Sequence, residues 1–302
     1  MFCRHEPIFP YYFNSAIFYR QFYHLFPVKI FLKLLDFYSS PCYNNNVEKN
    51  NIQWIEKDLT IKTLCSIIEL ESEVIMDKRI KYRLVIDTET CPLNIEETAV
   101  TPYNMWVYDC GWAVVDKKGN VYKTESFINA DIFLDEKQLM KSAYYADKIP
   151  KYWEQIKSGE RKLTSFYNIK KQLYKDIKNY NITEVFAHNM YFDYTALNNT
   201  QRWLTKSRYR YFFPYGIKIC DTLKMARQVI NKMPSFQLFC DINNFKTKTN
   251  QNKLTAEVLY SYIINNPNFK ESHTALEDVM IEKEILAYCY KQHKKINRFM
   301  CK

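Results

Sequence analysis

Five residues of this chain have the types and placement to do chemistry together: Asp87, Glu89, Asp193, His273 and Asp278. Asp87 and Glu89 end the run "YRLVIDTET", two apart on what reads as a strand, so both side chains point to one face. Like charges that close repel strongly, and one would stay protonated unless a cation neutralised the pair. Metal binding is the economical reading. Two acids solvated at the end of a surface strand is the bland one, and the apolar run ahead of Asp87 weighs against it. Asp193 and Asp278 each open a helical segment, where an aspartate alone serves a cap or the helix dipole. A hard cation, however, needs several carboxylate oxygens converging from different elements, and these four acids come from three separated segments. His273 stands five residues before Asp278, just outside the helix, a position that suits a proton acceptor.

The elements that must carry these residues are legible from about residue 81. "MWVYDCGWAVVD" and "VYKTESFIN" flank "KKGN" and predict two strands joined by a tight turn, following the strand that ends at Asp87. Residues 135–180 read as helices separated near Pro150 and Gly159. "EVFAHN" at 184–189 predicts a short strand, followed by a helix through "FDYTALNNTQRWL". "GIKICDTLKMARQVI" predicts strand then helix, with Asp221 or Thr222 as the cap. Residues 241–253 form a polar, basic loop, and helices follow at 254–265 and 274–291. Thr274 with Glu277 three residues on predicts a capping box for the last helix. Three successive strands followed by alternating helices and strands favour a mixed sheet with helices on both faces.

In order, "VIDTET", "AHNMYFD" and "HTALEDV" resemble the three exonuclease motifs of the DEDD superfamily, in the variant whose last motif contains histidine. That group includes the proofreading subunits of bacterial replicases and oligoribonuclease, and the resemblance covers residues 81–292. It implies an α/β protein with an RNase H-like mixed β-sheet flanked by helices, acting as a metal-dependent 3′–5′ exonuclease that releases nucleoside 5′-monophosphates. It implies further that Asp87, Glu89, Asp193 and Asp278 hold two divalent cations, magnesium expected and manganese a substitute, with His273 as general base. Thr88 and Thr90 have groups suited to the terminal nucleotide, though strand threonines also serve structure. Phe192 either touches a terminal base or packs behind the acid. Asn189 would orient the loop that presents Asp193, His188 reads as its structural neighbour, and Asp221 as a cap that supports the sheet. Two departures stand out. After Glu89 the chain reads "TCPLNIEETAVTPYN" in place of a glycine-containing turn, which implies a different and larger wall against the 3′ nucleotide. The 242–253 loop carries Lys246, Lys248 and Lys253 beside Phe245, a set that suits phosphate contacts with base stacking or, equally, a solvated loop.

Charge narrows the partner. The 302 residues hold 43 Lys and Arg against 33 Asp and Glu, a net +10, and residues 1–80 are balanced, so the surplus lies entirely beyond them. A polyanion is the implied partner, nucleic acid first. The four glycines form no phosphate-binding loop, and the nine cysteines form no CxxC pair, which removes a zinc ribbon or a disulfide framework and favours a reducing compartment. Cytoplasm, or host cytoplasm for a viral source, is the expected location; no apolar run is long enough for a transmembrane segment and no signal-peptide pattern is legible. Residues 1–75 form an aromatic-rich extension of unknown role, with fourteen Phe and Tyr in the first 43 residues and a helix predicted at 54–75. The expected substrate is a single-stranded DNA end. An exoribonuclease and a catalytically silent nucleic-acid-binding module are the alternatives, and any proofreading would serve a DNA polymerase in trans.

Overall fold

The computed structural model describes residues 77–93, 101–141, 146–206, 211–292 and 295–300. The extension expected over 1–75, with its helix at 54–75, lies outside the described residues. Six strands form one sheet: β1 (Arg83–Pro92), β2 (Met105–Val115), β3 (Val121–Asn129), β4 (Lys162–Thr164), β5 (Glu184–Ala187) and β6 (Lys218–Asp221), in the order β4-β3-β2-β1-β5-β6. The first three strands form an antiparallel meander. β4 then joins β3, β5 joins β1 and β6 joins β5, all parallel. The helices are α1 (Ala130–Phe133), α2 (Lys137–Lys141), α3 (Ile149–Ser158), α4 (Phe166–Asn179), α5 (Met190–Thr205), α6 (Thr222–Gln228), α7 (Pro234–Ile242), α8 (Ala256–Ile263) and α9 (Ala275–Gln292). This is the expected α/β class, a mixed RNase H-like sheet flanked by helices.

β1 shows why the sheet is covered on both sides. Leu84, Val85 and Ile86 are fully buried, which a continuous apolar run requires of both faces. Leu84 and Ile86 pack with Ile169 and Leu173 of α4 and Ala196 and Leu197 of α5. Val85 points the other way, into a core with Met225 of α6, Leu259 of α8 and Val279 and Ile285 of α9.

β4 departs from the sequence reading, which predicted only helices over 135–180. Three residues are too few to show alternation, and the strand exists because it pairs with Phe127–Asn129 at the sheet edge. The predicted break points hold: Pro150 lies in the first turn of α3, and Gly159 ends that helix in the left-handed conformation, φ 80°. In the turn between β2 and β3 the Asp116 carboxylate accepts from the backbone N–H groups of Lys118 and Asn120.

Candidate active site

Alternation along β1 decides what its C-terminal end can reach. Asp87 and Glu89 share the face of Val85, toward α9, whereas Thr88 shares the face of Ile86, toward α5. The first turn of α9 lies directly on β2 at Gly111, which is paired with Asp87 in the ladder. A Cβ on Gly111 would stand 2.5 Å from the Leu276 nitrogen, so no larger residue leaves this approach open. Two residues earlier on β2, buried Asp109 accepts from the Ala275 N–H at 3.1 Å and from Arg161 Nη1 at 2.7 Å. The helix start is thereby pinned, and one carboxylate oxygen from each of Asp87, Glu89 and Asp278 lies within 4.8 Å of the others.

Asp193 arrives from the opposite face of the sheet. α5 begins after Asn189, which holds the left-handed conformation at φ 64°. The Asn189 N–H donates to Asp221 Oδ1 at 3.1 Å, and the same oxygen accepts from the Leu223 N–H at 2.9 Å. Asp221 therefore caps α6 and ties down the turn that presents Asp193, the supporting role expected of it. Asp193 is buried in the first turn of α5, and its Oδ1 accepts from the Thr88 hydroxyl at 2.7 Å. Thr88 thus orients a carboxylate. His188 bonds Thr222 Oγ1 at 3.1 Å through Nδ1 and the Leu254 carbonyl at 2.8 Å through Nε2, the structural neighbour predicted.

His273 precedes α9 in a left-handed conformation, φ 52°. Its Nδ1 is 3.7 Å from Glu271 Oε2, and Glu271, His273 and Asp278 form a second group of possible ligands sharing Asp278 with the first. Lys148 Nζ donates to the carbonyl oxygens of Ser272 and His273, fastening this segment. The predicted capping box takes another form. Hydroxyls of Ser272 and Thr274 both donate to the Glu277 carboxylate, which also faces Lys151 at 3.4 Å, while Asp109 takes the first helical N–H. Asp109 thus serves the Ala275 N–H, a donor that a capping box leaves free.

The electrostatics follow from burying acids side by side. Burial, reinforced by Asp193, Glu282, Glu89 and Asp278, holds the Asp87 carboxyl well above the ordinary range. Burial together with Asp109 and Asp278 does the same to Glu89, against which Lys148 acts. Burial pushes Asp193 and Asp278 each up to about 7, and Glu271 up to about 8. Asp278 Oδ1 is buried without a hydrogen-bond partner, as is Glu282 Oε2 one turn farther along α9. Clustered buried carboxylates with orphaned oxygens are the donor set a hard divalent cation requires. His273 differs: burial and the Lys148 charge hold its imidazole below its ordinary value, which favours the neutral form.

The remaining predicted contacts are scattered. Thr90 lies half-buried past a break in register after Glu89. Asn189 is exposed beside the site, while Phe192 packs against the main core. Phe245 packs against the second core and tilts onto Phe239. Lys246 bridges Asp241 and Asn252, each at 2.6 Å. Lys248 and Lys253 are exposed on a folded turn in which the Lys253 N–H donates to the Phe245 carbonyl. Of the wall expected after Glu89, residues 94–100 lie outside the described residues. The stretch that follows is held to α5 by Asn199, whose side chain donates to the carbonyls of Pro102 and Tyr103.

Sequence reasoning missed Asp109, Gly111, Glu271 and Glu282. Asp109 had a signal, an acid inside the otherwise apolar "MWVYDCGWAVV", and Glu282 had one in its four-residue spacing from Asp278.

No family model and no curated protein matches the chain. Among solved structures it is similar to a 3′-exonuclease described in 3′-end-specific recognition of a histone mRNA stem-loop, at 12% identity and TM-score 0.44, covering 96% of this chain and 89% of that one. It is similar to cell-death related nuclease 4, at 11% identity and TM-score 0.41, covering 70% of this chain and 64% of that one. It is also similar to E. coli exonuclease I in complex with a thymidine oligonucleotide, at 11% identity and TM-score 0.41, covering 70% of this chain and 41% of that one.

Proposed function

We propose that the protein is a metal-dependent 3′–5′ exonuclease of the histidine-containing DEDD type, releasing nucleoside 5′-monophosphates from single-stranded DNA ends. The observation that carries this reading is the convergence of Asp87, Glu89 and Asp278 within 4.8 Å, with Asp193 tethered to the intervening Thr88. Asp87, Glu89 and Asp278 would hold one divalent cation, and Asp87 with Asp193 would complete the set for a second, magnesium or manganese. Bound there, such ions supply the positive charge that stabilises a phosphodiester undergoing displacement and makes water more acidic. His273, its neutral form favoured by burial and Lys148 and its own carbonyl anchored to Lys148, accepts the proton of the attacking water. Thr88 and Asp221 keep Asp193 in place, Gly111 and Asp109 keep Asp278 in place, and none of these four needs to touch substrate.

The test is degradation of 5′-labelled DNA and RNA oligonucleotides of one sequence, with magnesium or with EDTA, beside a closed circular single strand. Stepwise shortening from the 3′ end, abolished by EDTA and absent on the circle, is the expected result. Faster loss of the RNA would reassign the substrate, since discrimination rests on contacts to the 2′ hydroxyl. Linearisation of the circle would replace the exonuclease reading with an internal nuclease.

A further inference from the structure

A second surface of the domain has the chemistry of a phosphate-binding track. A groove of about 840 Å³ runs between α4 and the β3–β4 edge of the sheet, lined by Lys162, Lys171, Lys175, Lys178, Tyr174 and Asn168 among others, with no acid among the residues that line it. Lys171, Lys175 and Lys178 repeat at helical spacing, which puts them on one stripe of α4. The helix has a single acid, Asp176, and it is turned inward, fully buried and bonded to Lys123 at 2.6 Å and Trp112 Nε1 at 3.0 Å. Lys162 is paired with Glu125 at 2.6 Å, and one lysine on an edge strand is enough to discourage strand addition. The three helical lysines have no such use.

The groove is also placed for the site. β4 is parallel to β3, β3 antiparallel to β2 and β2 antiparallel to β1, so β4 and β1 end at the same edge of the sheet. β4 lies three strand spacings from β1, about 14 Å. α4 starts at that edge and runs back along the sheet for about 21 Å.

We infer that this groove holds the phosphate backbone of the single-stranded nucleic acid whose 3′ end occupies the carboxylate centre, upstream of that end. The inference rests on the nuclease reading for its substrate, and Tyr174 supplies an aromatic face on which a base can stack.

The experiment compares the full chain with K171A/K175A/K178A and with K117A/K118A, which removes two exposed lysines from the β2–β3 turn at the opposite edge. Binding of a fluorescein-labelled twenty-nucleotide thymidine strand is followed by anisotropy in EDTA over about 50–200 mM salt. Hydrolysis of the p-nitrophenyl ester of thymidine 5′-monophosphate, too short to reach the groove, is followed with magnesium. The triple variant is expected to bind at least about tenfold more weakly at the lowest salt. Its log–log salt slope should be shallower by about 2, from about 0.7 per lost phosphate contact. Ester hydrolysis by the triple variant and strand binding by K117A/K118A should match the unaltered protein. An unchanged slope in the triple variant, an equal loss in K117A/K118A, or no binding of the strand by the unaltered chain would overturn the groove assignment. Failure to hydrolyse either ester or strand would instead defeat the nuclease reading, and the binding measurement would still decide on the groove.

Discussion

β1 begins and ends in buried charge, and the two ends are built on opposite principles. At its start Glu184 is almost fully buried, yet Arg298 Nη2 stands 2.6 Å away, Lys81 Nζ 3.1 Å and Arg83 Nε 3.4 Å. Burial alone would raise this carboxyl, and Arg298 with Lys81 holds it below its ordinary value instead. At the other end Asp87 and Glu89 meet Asp278 and Asp193, and burial acts with mutual repulsion to hold Asp87 well above the carboxylate range. A protein that surrounds one acid with three cations can neutralise buried charge from its own side chains. Where it gathers four acids with Lys148 as the nearby cation acting on them, its own side chains leave the charge uncompensated, and the carboxyls are relieved either by protons or by a bound cation. Unpaired buried carboxylates are costly, so the second cluster adds no stability of its own, and the proposed cation site accounts for it.

The sharpest way to break this contrast is to remove charge at each end in turn. D87N and D278N should each lower magnesium-dependent release of mononucleotides by about a thousandfold or more under single-turnover conditions. Their melting temperatures in EDTA should be unchanged or higher, because repulsion is relieved. Activity within tenfold of the unaltered protein in D87N would remove the basis for calling this end a site.

His273 sharpens the comparison by separating proton transfer from charge. H273N keeps a residue that tolerates the left-handed backbone at φ 52°. It should lower the chemical rate by about 10²–10⁴-fold and leave the magnesium concentration for half-maximal activity unchanged. A large rise in that concentration would make His273 a ligand, alongside Glu271 and Asp278.

E184Q should give the reverse pattern. Urea unfolding is expected to show a loss of about 3 kcal/mol, since the substitution leaves buried Arg83 and partly buried Arg298 without their counter-charge. Activity per folded molecule should stay as it was, because Glu184 lies at the far end of the strand.

The smallest effect is on pH dependence. Asp193 and Asp278 have ordinary values of 3.8 and folded-state values of about 7, so between those limits the native state binds more protons than the unfolded chain. Stability of the metal-free protein should then rise as pH falls from about 8 toward 5, seen as a higher melting temperature. Magnesium at pH 8 should flatten this dependence, and D278N should remove part of it. A melting temperature that climbs with pH in EDTA would contradict the unpaired state of these acids.

How far the sequence carries depends on the range of the interaction involved. Five of the six strands were legible because a continuous or alternating apolar run sets a strand's burial within a few residues, and the placement of Asp87 and Glu89 on one face followed from the two-residue period of β1. Asp221 as a cap was legible for the same reason, since a cap spans only its own turn. β4 was not, because three residues carry no period and the strand exists only by pairing with β3.

The site itself divides along the same line. Residue types and order identified Asp87, Glu89, Asp193, His273 and Asp278 as a set, and helix starts fixed where two of them begin. Their meeting is a matter of tertiary structure: Thr88 reaches Asp193 across 105 residues and Asp109 holds the Ala275 N–H across 166. Gly111 is one of only four glycines and reads locally as an interruption of a strand, yet it is the place where α9 descends onto β2. Periodicity and capping are short-range and written in neighbouring residues. The approach of two helices to opposite faces of one strand end is set by the packing of the whole sheet, and only that packing brings Asp87, Glu89 and Asp278 within 4.8 Å of one another and ties Asp193 to Thr88 between them.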